Sequence, residues 1–203
     1  MNDFLRKGIN YLNRRRLKNK TFSLISSNCN GGFILKDLNL RFNSPFINVW
    51  MYPGDFIKYL KNIKHYMACD LRFIEKRDIS YPVGLLDDME IYFQHYHSEN
   101  EAKSKWIERT QRINLDNLFI LMTDRDGCTL DDLKEFNELP YKNKVVFTHL
   151  PHKDIESHFY IKGFENKKSV GHCFEYKNYF TGRKIYDDFD YIKWFNGELT
   201  RMP

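Results

Sequence analysis

Two short apolar runs constrain this chain more than any other feature. "NLFILM" (117–122) and "KVVFTH" (144–149) each have the length and composition of a buried strand. Between them "TDRDGCT" has loop chemistry. Thr129 and Asp132 then open a helix carrying Leu130, Leu133 and Phe136. Two buried strands joined by one helix make a βαβ unit, for which a right-handed crossover is the strong default. The expected architecture is therefore α/β, a single domain with a mixed, partly parallel β-sheet flanked by helices.

The rest of the chain supplies further elements. Phe22 to Ile25 reads as a strand, followed after Cys29 by a short helix to about Leu38. "NSPFINVW" reads as extended. Pro53 opens a helix with Phe56, Leu60 and Ile63 on one face. "YPVGLLDDMEIYFQHYH" has an Asp-Asp turn between apolar runs and reads as a strand pair ending near His95. Ser98 and Glu101 form a capping box for a helix to about Arg112, with Ala102, Trp106 and Ile113 in its stripe. A last helix, about 185–196, carries Ile185, Phe189 and Ile192.

With 203 residues the chain suits one domain able to bury a sizeable core, and 17 Phe, 13 Tyr and 3 Trp exclude a disordered one. Cys29, Cys69, Cys128 and Cys173 are widely spaced without a CxxC pair, which fits a reduced cytoplasmic protein better than a zinc ribbon or disulfide scaffold. No run approaches the ~20 apolar residues that span a bilayer, and none near Met1 has the pattern of a signal peptide. Residues 6–20 hold seven Lys or Arg and no acid, so against the chain's +5 the remainder sums to −2. Residues 1–20 thus form a basic N-terminal arm, a helix with Phe4 or Leu5, Ile9 and Leu12 at helical spacing, ahead of a domain over 21–203. Such an arm suits either packing on the domain or contact with anionic lipid at the inner face of a membrane. Nucleic acid is not an expected partner, since no basic and aromatic interleaving continues beyond the arm.

Cys29 stands at a strand-to-helix junction before Gly31 and Gly32. A thiol there would face the positive end of the helix dipole, and the N–H groups around Asn30, Gly31 and Gly32 could form an oxyanion hole. From the local pattern alone, a packed structural thiol is the commoner outcome. A nucleophilic thiol needs a base. His95, read as the more enclosed of the strand-end pair His95 and His97, is the first candidate, and His149 at the end of "KVVFTH" the second. Asp124 and Asp126 are spaced D-x-D after a strand. That spacing suits a divalent ion on a nucleotide-sugar phosphate and equally suits ordinary turn chemistry.

Taken together, "SSNCNGG", "NSPFINVW", "PGDFIKYL", "YPVGLLDDMEIYFQHY", "KWIERTQRIN" and "NLFILMTDRDGCT" resemble the family catalogued as domain of unknown function nineteen-nineteen. Its members are labelled exopolysaccharide or capsule biosynthesis proteins, and the resemblance covers roughly residues 20–195. The aromatic residue usual after the family's cysteine is replaced here by Asn30. The order of Cys29, then Ser44-Pro45-Phe46, then a Phe-x-His strand end is also similar to papain-like cysteine proteins that include a capsule acetyltransferase using coenzyme A. That likeness implies Cys29 as nucleophile, His95 as its partner, and Ser44, Pro45 and Phe46 as part of the site wall.

The leading expectation is an enzyme of cell-surface polysaccharide synthesis, acting by cysteine-dependent acyl transfer from a coenzyme A thioester to a glycan or lipid-linked glycan. One alternative is a glycosyl or sugar-phosphate transferase using a nucleotide sugar and a divalent metal at Asp124 and Asp126. Another is a non-catalytic binding protein of the assembly machinery.

Overall fold

The structure, a computed structural model, describes residues 2–178 and 180–199. Both apolar runs are strands, as their composition predicts. The parallel and antiparallel pairs expected of a mixed sheet are divided between two sheets.

The first sheet contains β1 (Ser23–Ser26) and, from the two runs, Leu118–Thr123 and Lys144–Thr148. A short strand, His158–Tyr160, completes it. Every pairing in this sheet is parallel, with Ile25 opposite Ile120 and Leu121 opposite Val145. The second sheet is antiparallel: β2 (Leu71–Ile74), β3 (Val83–Leu86) and β4 (Met89–Tyr92). In chain order the parallel strands after β1 are β5, β6 and β7, giving the order β1-β5-β6-β7. The helices are α1 (Asn2–Arg16), α2 (Asn30–Asp37), α3 (Pro53–Lys61), α4 (Ile63–Ala68), α5 (Glu99–Thr110), α6 (Leu130–Glu138) and α7 (Tyr191–Phe195).

Alternation along β5 divides the core in two. Leu118, Ile120 and Met122 join a cluster with α3, α6 and the antiparallel sheet, including Phe56, Leu86, Ile91 and Phe136. Phe119 and Leu121 face the opposite cluster, with Ile34 and Leu35 of α2 and Phe189, Trp194 and Phe195 near the C-terminus. Period-two alternation in a strand covered on both faces makes β5 apolar throughout. The free edge of β1 is covered by the segment after α2. Ser23 Oγ donates to Asn43 O at 3.1 Å, and Ser44 Oγ donates to Leu24 O at 2.6 Å. Such contacts occupy part of an edge that would otherwise be open to pairing with another chain.

Capping chemistry places several helix starts. Thr129 and Asp132 cap α6 reciprocally. At α5, Ser98 Oγ accepts from Glu101 N, whereas Glu101 Oε2 takes the His97 amide, one residue earlier than a reciprocal box requires. The expected C-terminal helix is interrupted: a 3-10 turn over Ile185–Asp188 stops, and α7 restarts under an Asp190 cap.

The arm differs most from expectation. Helix α1 packs on the domain, yet its inward stripe is Arg6, Asn10, Asn13 and Leu17. Of the apolar residues at helical spacing, Phe4 and Leu12 are 81% and 59% exposed. Specific polar partners explain the inversion. Arg6 Nη2 meets Asp37 Oδ2 at 2.6 Å, Asn10 donates to Asp37 Oδ1, Asn13 donates to the Tyr191 hydroxyl, and Arg6 also pairs with Asp187. Lys184 and Tyr186 donate to the same Asp37 carboxylate.

Candidate functional site

The C-terminal ends of parallel strands gather loops at one edge of a sheet, where open α/β folds bind ligands. Here the β1–α2 loop, the β5–α6 loop and the segment after β4 enclose a cleft of about 320 Å³. Asn28, Cys29, Arg125 and Asp126 line it from the parallel sheet. Trp50, Tyr81, Gln94 and His95 come from the other side, and His172 and Phe174 from the C-terminal segment.

Cys29 is the N-cap of α2, with αR backbone and a half-buried thiol. Burial pushes its pKa above the ordinary thiol value; Arg125 pulls it down and Asp126 pushes it up again. The net direction is opposite to the helix-dipole expectation, because desolvation of the half-buried thiol is the largest influence on it.

Behind the thiol, Asn30, Gly31 and Gly32 are buried. Asn30 N donates to Asn28 Oδ1 and Gly31 N to Ser26 Oγ, each at 3.3 Å, so two of the three expected oxyanion donors already serve the turn. Gly31 answers to packing: a Cβ there would lie 2.6 Å from Ser26 Cβ. Gly32 is under no such demand, its nearest neighbour being an Ile47 methyl at 3.6 Å.

His95 shares the cleft with Cys29 but lies in an exposed turn, since β4 ends three residues earlier at Tyr92. His97 is exposed as well, so the expected enclosure of His95 by a strand end is not what the fold produces. Phe93 N donates to Pro82 O and Tyr96 N to Phe93 O, which turns the chain before His95 is reached. Among the described residues no hydrogen bond joins the Cys29 thiol to the His95 ring.

The two aspartates have separate duties. Asp124 is buried; its Oδ2 accepts from the His149 amide at 2.6 Å and from His149 Nδ1 at 2.5 Å, and Oδ1 accepts from Val170 N at 2.8 Å. This fixes the proton of a neutral His149 ring on Nδ1 and leaves Nε2 as the acceptor. Asp126 turns into the cleft at φ +60. Burial raises its pKa, with Arg125 and His172 acting against that rise. Among the described residues, no group of three or more metal-ligating side chains forms around either carboxylate.

Ser44, Pro45 and Phe46 are all buried away from the cleft lining. Phe46 packs in the core against Phe56, Tyr59 and Trp106. Their role is to seal β1, as the Ser44 bond to Leu24 shows.

Several lining residues carry no sequence signal strong enough to find them. Arg125 Nη1 donates to His172 Nδ1 at 2.9 Å, joining loops 47 residues apart. Trp50 stacks on Tyr92 with centroids 4.0 Å apart, and Phe174 stacks on Phe33 at 4.2 Å. The aromatic walls are therefore held in place by stacking partners outside the cleft.

Residues 1–196 match the family described as Domain of unknown function (DUF1919). The chain belongs to this family. The match includes α1, so the basic helix is part of the DUF1919 domain, in agreement with its buried contacts. A protein of Haemophilus influenzae, described as an uncharacterized protein, is 53% identical over 188 residues, covering 93% of this chain and 90% of its own length. No helix among the described residues of this DUF1919 chain is long and apolar enough to cross a membrane.

Proposed function

We propose that this protein is a cysteine-dependent acyltransferase of cell-surface polysaccharide synthesis. The observation that carries the proposal is Cys29 and His95 lining one aromatic-walled cleft at the strand ends. Aromatic faces with a few converging polar groups suit a sugar ring, whose C–H faces stack while its hydroxyls bond. The resemblance of the sequence to capsule biosynthesis proteins supports the same substrate class.

In the proposed reaction the Cys29 thiolate attacks the carbonyl of a thioester donor such as an acyl-coenzyme A. A new sulfur–carbon bond forms, the donor's breaks, and the donor leaves as a thiol with the proton taken from Cys29. A sugar hydroxyl then attacks the acyl-enzyme, giving its proton to His95, and Cys29 is released. Arg125 supplies positive charge for the tetrahedral oxyanion, since Asn30 N and Gly31 N already have partners. The mechanism requires the His95 ring to come within hydrogen-bond reach of the attacking hydroxyl when substrate fills the cleft.

The test is intact-mass detection of one acyl group on the full chain after incubation with acetyl-coenzyme A. Labelling should vanish in Cys29→Ala and slow in His95→Gln. Transfer that persists in Cys29→Ala overturns the mechanism. The exposed turn that carries His95 favours a second function, glycan binding without turnover, for which a glycan would bind but no donor would label the protein.

The location proposed is the cytoplasmic face of a membrane. Phe4, Tyr11 and Leu12 are exposed on α1 beside Lys7, Arg14 and Arg15, a composition suited to anionic head groups. Binding to phosphatidylglycerol vesicles should fall in a Phe4→Ser, Leu12→Ser double variant, and unchanged binding overturns the assignment.

A further inference from the structure

Helix α4 ends beside the turn between β3 and β4, and three different ligating side chains meet there. His65 and Cys69 are four residues apart, on one face at the helix end; Asp87 lies in the turn at φ +56. His65 Nε2 is 3.0 Å from Asp87 Oδ2 and 3.5 Å from Cys69 Sγ, and the three ligating atoms all lie within 4.8 Å of one another. This group stands apart from the Cys29 cleft, none of whose lining residues belong to it.

Hydrogen bonding accounts for only part of this convergence. A ring nitrogen has one site, which either donates one hydrogen or accepts one. An Nε2–H ring gives that hydrogen to Asp87 Oδ2, and the Cys69 thiol gives its own to His65 O at 3.4 Å, which leaves the 3.5 Å approach of sulfur to Nε2 without a hydrogen bond of its own. A cation satisfies all three atoms together. With Zn–N and Zn–O near 2.0–2.1 Å and Zn–S near 2.3 Å, tetrahedral geometry sets N···O at about 3.4 Å and N···S at about 3.6 Å. The observed 3.0 and 3.5 Å need a small opening, and the sulfur and the carboxylate oxygen, within 4.8 Å of each other, meet the ion about 3.6 Å apart.

We propose that His65 Nε2, Cys69 Sγ and an Asp87 carboxylate oxygen bind one zinc ion, with water at the fourth position. Binding transfers the Cys69 proton to solvent as the sulfur–metal bond forms. Thiolate and carboxylate then balance the two charges of the ion. The donor set mixes nitrogen, sulfur and oxygen, which suits zinc and excludes magnesium and calcium, both of which take oxygen ligands. Neighbouring contacts orient the ligands. The Tyr66 ring packs edge-on to His65 at 4.8 Å and its hydroxyl donates to Asp88, which also pairs with Lys58. The ion would tie α4 to one end of the β3–β4 hairpin, whose other end leads to Gln94 and His95.

The experiment uses the full chain, stripped with a chelator and dialysed, and titrated with zinc by calorimetry and with cobalt by absorption. One equivalent should bind, and the cobalt form should show a near-ultraviolet sulfur-to-metal band with tetrahedral visible bands. Loss of an outer-shell partner alone costs about 10–100-fold in affinity, so loss of a ligand in Cys69→Ser or His65→Ala should cost at least about 100-fold. Asp87→Asn, an exposed turn substitution that leaves folding intact, should weaken binding as well. Cys29→Ser should leave the band unchanged. A band that survives Cys69→Ser, zinc affinity in the ligand variants unchanged from that of the unsubstituted chain, or loose binding with no sulfur band each overturns the site.

Discussion

Arg6 Nη2 lies 2.6 Å from Asp37 Oδ2, and both side chains are almost fully enclosed. The pair joins the first helix to the end of α2, with Asp187, Lys184 and Tyr186 completing a network of two acids and two bases. Removing one member of such a buried network leaves an uncompensated charge. Arg6→Ala should lower the unfolding free energy by about 3–5 kcal/mol, measured by urea denaturation. A change below about 1 kcal/mol would place the pair in the class of surface bridges.

The same network gives an acid dependence. Burial alone would raise the Asp37 pKa; hydrogen bonding from Tyr186 and the charges of Arg6 and Lys184 outweigh it and hold the carboxyl below its ordinary range. A folded value lower than the unfolded one contributes stability that is complete above the unfolded pKa of about 3.9 and disappears as pH falls through the folded value. Asp37→Asn should therefore be less stable at neutral pH and show a shallower loss of stability below about pH 4. Equal acid slopes in the two proteins would contradict this.

Cys29 offers a direct test of cleft electrostatics. Desolvation raises its pKa, Arg125 lowers it and Asp126 raises it. The pH midpoint of iodoacetamide reaction at Cys29 should lie above that of a free thiol, fall in Asp126→Asn and rise in Arg125→Ala. Shifts of the opposite sign would mean that the two charges do not face the thiol.

Gly31 and Gly32 should respond differently to the same change. Gly31→Ala sets a methyl against Ser26 Cβ and should cost about 1–3 kcal/mol as an overpacked contact. Gly32→Ala meets only ordinary contacts and should be tolerated. Equal effects on thermal midpoint would refute the packing account.

How far the sequence foretells this molecule depends on the range of the interaction. Strands β5 and β6, the α6 cap and the β3–β4 turn are local patterns and fold as their residues imply. Strands β2 and β7, four and three residues long, lack the flanking turn signal that marks the equally short β3 and β4. The sequence identifies Cys29, His95 and Asp126 as candidates, and the fold brings all three to one cleft. It does not foretell Arg125 with His172, because that bond joins distant loops. Nor does hydropathy foretell α1: a stripe of Arg6, Asn10 and Asn13 reads as solvent-facing until Asp37 and Asp187 are known to wait opposite.

The inverted helix α1 has a practical consequence for anyone reshaping this gene. A charged leading segment invites trimming, or replacement by a purification tag, as if it were an appendage. Here that cut would take Arg6 away from Asp37 and Asp187 and leave Lys184 as the network's one remaining base, against two acids. The first twenty residues act as a keystone, and questions about their outer surface are best asked one side chain at a time.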